Sequence, residues 1–173
     1  MIDRLRSLTY SVCLLWALFV VCIGTAEASK ISGTISATMA ITEDSQLVGD
    51  VTCTVSAAAC FSINASGITL DLNGYTITGQ ADPLTACNGS STGGETGITA
   101  TGRTGITIRG PGIVQRFRGF GISLSNATAS TITRVTTSTN CMSGIFLNGG
   151  ALNELDGNIS IRNGNLNNPC GGI

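Results

Sequence analysis

Three arginines close phrases of similar pattern: Ile106-Thr-Ile-Arg109, Thr131-Ile-Thr-Arg134 and Ile159-Ser-Ile-Arg162. The planar fork of arginine matches a carboxylate through two parallel hydrogen bonds, so three such groups one repeat apart would hold successive uronate units of an acidic glycan. Arg116 and Arg118 lie close by in sequence. The middle phrase is offset by one residue, so a ladder forms only if register allows it. The competing expectation is a set of exposed arginines that blunts a sheet face.

Other reaction chemistry is poorly supplied. The sequence has no histidine, which excludes a Ser-His-Asp triad, a Cys-His pair and a His-ligated metal site. Glycoside hydrolysis needs two placed carboxylates. After Ala28 the acids Glu43, Asp44, Asp50, Asp71, Asp82, Glu95, Glu154 and Asp156 are scattered, with no Asp-Asp pair. Glu154 and Asp156 share a face if extended, as would two residues of a solvated turn. Asp71, beside Thr69 and Asn73, offers hard oxygen ligands for Ca²⁺ or simply ends a strand facing solvent. No catalytic residue, metal or cofactor is expected.

The N-terminus sets the compartment. Arg4 and Arg6 precede an apolar run over Leu8–Gly24, and Ala26-Glu27-Ala28 is a small-x-small site. This is the plan of a secretory signal peptide over residues 1–28, with cleavage between Ala28 and Ser29. The expected location is secreted, periplasmic or cell-envelope, without stable membrane insertion after cleavage. The signal removes two of the ten acids and two of the nine bases, leaving a net charge of −1. No global field steers such a chain toward nucleic acid.

Of the seven cysteines, Cys13 and Cys22 leave with the signal. In an oxidising compartment the other five are disulfide candidates. Cys53 and Cys60 flank a short Thr-Val-Ser-Ala-Ala-Ala excursion and are expected to pair. Cys141 and Cys170 stand just before the Gly-Ile phrases of consecutive repeats, close enough to link across strands about 4.8 Å apart. Cys87 is then left over.

These residues hang on a repeated phrase. It reads Gly67-Ile-Thr-Leu-Asp-Leu-Asn-Gly74, Gly105-Ile-Thr-Ile-Arg-Gly110, Gly121-Ile-Ser-Leu124 and Gly144-Ile-Phe-Leu-Asn-Gly149, and restarts at Gly172-Ile173. Spacings are 23 residues from Gly121 to Gly144, 28 from Gly144 to Gly172 and 27 from Ile132 to Ile159. Two short strands per period, with Gly/Asn turns, describe an all-β solenoid in which each coil buries its apolar side against its neighbours. A β-sandwich is the alternative. Period-2 alternation points Ile68, Leu70, Leu72, Ile106, Ile108, Ile122, Leu124, Ile132, Ile145, Leu147, Ile159 and Ile161 inward. Residues 29–66 read as an N-terminal cap and first irregular coil, and 67–173 as repeats. The polar, Gly- and Ser-rich stretch 80–96 reads as a surface loop.

The segments Gly67–Gly79, Arg103–Val114 and Ser143–Gly149 resemble the secreted right-handed parallel β-helix proteins, the pectin-lyase-like and periplasmic copper-protein-like repeat families. The resemblance covers about residues 45–173 and implies a right-handed parallel β-helix. The families include lyases, glycoside hydrolases, epimerases and adhesins, so fold alone assigns no activity. Lyases of this fold resemble a scheme in which arginine abstracts a sugar proton. The phrase begun at Cys170 stops before its strand is made, so the expected chain has no C-terminal cap: a truncated chain, or an end completed by another subunit.

Two further features concern the surface. Four N-x-S/T triplets start at Asn64, Asn88, Asn126 and Asn158 and are read as turn chemistry. The single tryptophan, Trp16, leaves with the signal, so Tyr75, Phe117, Phe120 and Phe146 are considered for stacking on a sugar. Phe146, between Ile145 and Leu147, has outward parity. The functional expectation is a non-catalytic glycan-contacting solenoid using Arg109, Arg134 and Arg162. The alternatives are the N-terminal part of a polysaccharide lyase or epimerase, and a structural or adhesive solenoid.

Overall fold

A computed structural model describes residues 27–81, 87 and 95–164. The described residues contain strands and turns but no helix. The strands are β1 (Ser29–Ile35), β2 (Met39–Ile41), β3 (Ser45–Cys53), β4 (Phe61–Ile63), β5 (Thr69–Asp71), β6 (Thr76–Thr78), β7 (Ile98–Thr101), β8 (Thr107–Gln115), β9 (Ile122–Ser125), β10 (Thr131–Ser138), β11 (Ile145–Asn148), β12 (Glu154–Asp156) and β13 (Ile159–Ile161). The chain alternates between two sheets. One is five-stranded, in the order β11-β9-β7-β4-β2, and the other is eight-stranded and holds the remainder. Every strand pair is parallel. A chain that returns to the same sheet in the same direction must travel around and come back, so an antiparallel sandwich is set aside.

The pitch of that winding is written in the pairing. Ile122 lies beside Ile145 and Thr131 beside Glu154, an offset of 23 residues. In-register parallel strands put identical positions on the same face, so the interior is built of columns. Phe61, Ile98, Ile122 and Ile145 form one, and Leu70, Ile108 and Ile132 another, all fully buried. Each such side chain contributes about 1.5–3 kcal/mol on burial. Of the twelve residues expected inside, Leu70, Leu72, Ile106, Ile108, Ile122, Leu124, Ile132 and Ile145 are buried and Ile68 partly so.

Three expectations fail. Leu147 is in register with the inward Leu124 but is 36% exposed, because β11 is hydrogen-bonded on one side only among the described residues. Ile159 and Ile161 face outward, at 53% and 47% exposure. Their partners explain it: Ile159 pairs with Thr136 and Ile161 with Ser138, whereas Ser160 continues the interior column of Ile77, Val114 and Thr137. The interior turns polar here. Thr137 and Asn140 are fully buried, and the Asn163 Nδ2 donates to Ser160 Oγ at 2.9 Å and to the Thr137 carbonyl at 3.0 Å.

Asparagine side chains clip one coil to the next. Asn140 Nδ2 donates to the Val114 carbonyl at 3.2 Å, and its Oδ1 accepts the Phe117 N–H at 3.0 Å. Asn153 does the same with Ala127 and Ser130, Asn158 with Ile132 and Val135, and Asn163 with Thr137 and Asn140. Each amide reaches a carbonyl 26 residues back and an N–H 23 residues back. The clips sit at the ends and the bend of the long strands, where the ladder would leave backbone groups unpaired at about 1–3 kcal/mol apiece.

Two disulfides add covalent ties and fit an oxidising environment. Cys53 joins Cys60, with Cα atoms 6.0 Å apart. Cys87 joins Cys141 at a Cα separation of 5.2 Å, beside Ala81. Cys141 is therefore not the partner of Cys170, which lies outside the described residues. The physical reason is register. Gly164 donates its N–H to the carbonyls of Asn140 and Met142, so Gly164 occupies the place over Cys141 in the following turn.

Candidate functional site

The arginines do not form a ladder. Arg109 points outward from β8, in register with Asp71 of β5 and Thr133 of β10. Its Nη2 and Nε lie 2.7 and 2.9 Å from Asp71 Oδ2. The other Asp71 oxygen accepts the Asn73 N–H at 2.8 Å, so both oxygens are engaged internally rather than offered to a cation. Arg134 falls where the β8–β10 register shifts between Thr133 and Val135, with φ 55°. Arg162 follows β13 with φ 53°, stacked in the corner over Thr139 and Arg116, which have φ 52° and 60°. The three guanidinium groups thus start from a strand face, a mid-strand bulge and a corner. A left-handed residue at the bend realigns the strand, and that one residue shifts every later side chain to another column.

The neighbouring arginines serve the scaffold. Arg116 Nε donates to the Ala81 carbonyl at 2.9 Å. Arg118 pairs with Glu95, whose side chain is 7% exposed. The remaining Glu95 oxygen accepts the Ala57 N–H at 3.1 Å. This buried carboxylate, which ties coils across 23 and 38 residues, carries no signal in the local sequence. The asparagine clips were more legible, because Asn140 and Asn163 repeat at the coil spacing. One of them, Asn158, begins an N-x-S/T triplet, and its amide is consumed by Ile132 and Val135. Asn64 and Asn126 stand in exposed turns, and Asn88 lies outside the described residues.

Among the described residues no three Cys, Asp or Glu side chains gather as a metal site. Glu154 and Asp156 point outward from β12, and Asp156 Oδ2 accepts from Thr133 Oγ1 at 3.3 Å. Asp82 lies outside the described residues.

The two sheets differ in outward chemistry. The charged strand residues (Lys30, Asp50, Asp71, Arg109, Arg134, Glu154 and Asp156) all belong to the eight-stranded sheet. The strands of the five-stranded sheet carry none. Its outward column runs Ala40, Ser62, Thr99, Ser123 and Phe146 in register. Phe146 has its expected outward parity and stacks on Phe120, with ring centroids 4.4 Å apart and planes 10° from parallel. Phe117 is buried and Tyr75 packs against the core. No helix among the described residues is long and apolar enough to cross a membrane. No family model matches the chain, and neither a curated protein nor a solved structure is significantly similar to it.

Proposed function

We propose that the chain is an exported right-handed parallel β-helix protein that contacts a polysaccharide along its flank without turning it over. Right-handedness follows from the strong preference of parallel crossovers for that hand. Export is supported by the basic-apolar-small start of the sequence and by disulfides at Cys53–Cys60 and Cys87–Cys141. One observation carries the glycan reading: the same outward positions return once per coil, as in Thr69, Thr107 and Thr131 or Ser62, Thr99 and Ser123. A surface repeating at about 4.8 Å is suited to a ligand that itself repeats.

The test is calorimetric titration of the purified protein with oligogalacturonate and with a neutral oligoglucan, followed by ultraviolet absorbance. Saturable binding to either, with no new absorbance, is the expected result. Silence toward both leaves a structural solenoid. An unsaturated, ultraviolet-absorbing product instead makes the protein a lyase.

A further inference from the structure

The glycan reading leaves open which flank is used, and the partition of charge between the sheets decides it. On the eight-stranded sheet the outward column Asp71, Arg109, Thr133 and Asp156 holds two carboxylates and an arginine already bound to one of them. Asp50 and Glu154 lie on the same sheet with Lys30 and Arg134, so its strands carry four acids against three bases. A uronate polymer laid there meets like charge and must compete with Asp71 for Arg109, at the cost of desolvating both. The five-stranded sheet presents the reverse: no ionised group on any strand, small hydroxyl side chains at Ser62, Thr99 and Ser123, and a half-buried aromatic pair where the column ends.

We propose that the column Ser62–Thr99–Ser123, closed by Phe146 on Phe120, is the contact face, and that its ligand is a neutral polysaccharide running across the strands. This rests on the glycan reading above and adds the face and the ligand class. A neutral sugar chain offers hydroxyls that donate and accept, and patches of C–H. The Ser62 hydroxyl donates to Asn64 Oδ1 at 2.9 Å and the Thr99 hydroxyl to the Phe61 carbonyl at 3.3 Å, so these two offer acceptor lone pairs to sugar hydroxyls, while the Ser123 hydroxyl can donate or accept. The Phe pair supplies apolar area to cover the sugar C–H faces, as aromatic side chains do at contact surfaces. Uncharged partners on both sides avoid the large penalty of desolvating ions. Small residues at Ala40, Ser62 and Thr99 keep the strip flat, so an extended chain crosses several coils before meeting the step at Phe146.

The experiment uses the full chain, with a neutral oligoglucan and oligogalacturonate each titrated at low and high salt. The glucan is expected to bind with an affinity that salt leaves unchanged, because no exposed charge pair is screened. Ser123→Asp, on the strip, is expected to weaken it by about tenfold, and Phe146→Ala by a similar factor. Circular dichroism and melting of both variants guard against misfolding, and Thr99→Asp replaces Phe146→Ala if that variant unfolds. Arg109→Ala should leave glucan binding unaltered. Binding of oligogalacturonate alone, weakened by salt, would keep the glycan reading and overturn this face and ligand. Glucan binding indifferent to Ser123→Asp and Thr99→Asp would overturn the face. No binding of either sugar removes the underlying reading as well.

Discussion

Asn140→Ala is the most direct probe of what holds one coil to the next. The side chain is fully buried. Its removal strands the Phe117 N–H and takes a donor from the Val114 carbonyl, both bonds being buried, and a further donor from Asn163 Oδ1. One buried N–H without a partner and two further lost hydrogen bonds cost roughly 2–6 kcal/mol together. A central value of about 4 kcal/mol lowers the melting midpoint of a domain of this size by roughly 10 °C. Asn153→Ala breaks the same two bonds to Ala127 and Ser130, but this residue is only half-buried, so water can replace them. Its expected cost is about 1 kcal/mol. Urea denaturation of both variants, with amide exchange at Phe117 as the local readout, tests the argument. Equal losses in the two proteins, or unchanged protection of Phe117 in Asn140→Ala, would refute the claim that the clip acts by satisfying buried backbone groups.

Gly110→Ala should destabilise by about 1–3 kcal/mol or more, since a Cβ there collides with the Arg134 carbonyl; a melting midpoint equal to the parent would contradict this packing. Arg118→Ala should cost about 3–5 kcal/mol, because it leaves the buried Glu95 carboxylate without its cation, and Arg118→Ala/Glu95→Gln should recover part of the loss. Arg109→Ala, by contrast, breaks an exposed pair and should change stability by less than about 1 kcal/mol in denaturant melts. Peptide mapping without reduction should yield Cys53–Cys60 and Cys87–Cys141 links, and a dominant Cys141–Cys170 peptide would show that Gly164 does not occupy the place over Cys141.

The parts of this architecture that a reader of the sequence can recover are those governed by alternation and spacing. Leu70, Ile108 and Ile132 announce a buried column because apolar residues alternate with polar ones and recur at coil length. The same rule misplaces Ile159 and Ile161. There the interior is lined by Thr137, Ser160, Asn140 and Asn163, which satisfy one another, so hydropathy no longer marks the inside. The arginine phrases look alike, yet a single left-handed residue at the bend breaks their alignment, and no local pattern distinguishes that residue from an ordinary strand member. Cys87 was unreadable for a different reason. It sits in a segment of irregular length, where spacing no longer predicts neighbours, while Cys53 and Cys60 are close enough in sequence for their own loop to bring them together.

Phe61 pairs with Ile98 in the same register in which Ile98 pairs with Ile122, although 37 residues separate the first two and 24 the second. The ladder therefore closes whatever length of chain is spent at the corner before Gly97. Doubling such a loop adds only about 0.6 kcal/mol of closure entropy. Variation by insertion is cheap there, whereas at the bend where Gly110 abuts the Arg134 carbonyl even a methyl group is refused. Gly97 bonds the Phe120 carbonyl, so whatever is grafted at the permissive corner begins beside the aromatic pair. A lineage exploring new ligands, or an engineer installing a recognition loop, can lengthen the chain at this corner while the strands beneath stay in place, provided Cys87 keeps Cys141 and Glu95 keeps Arg118.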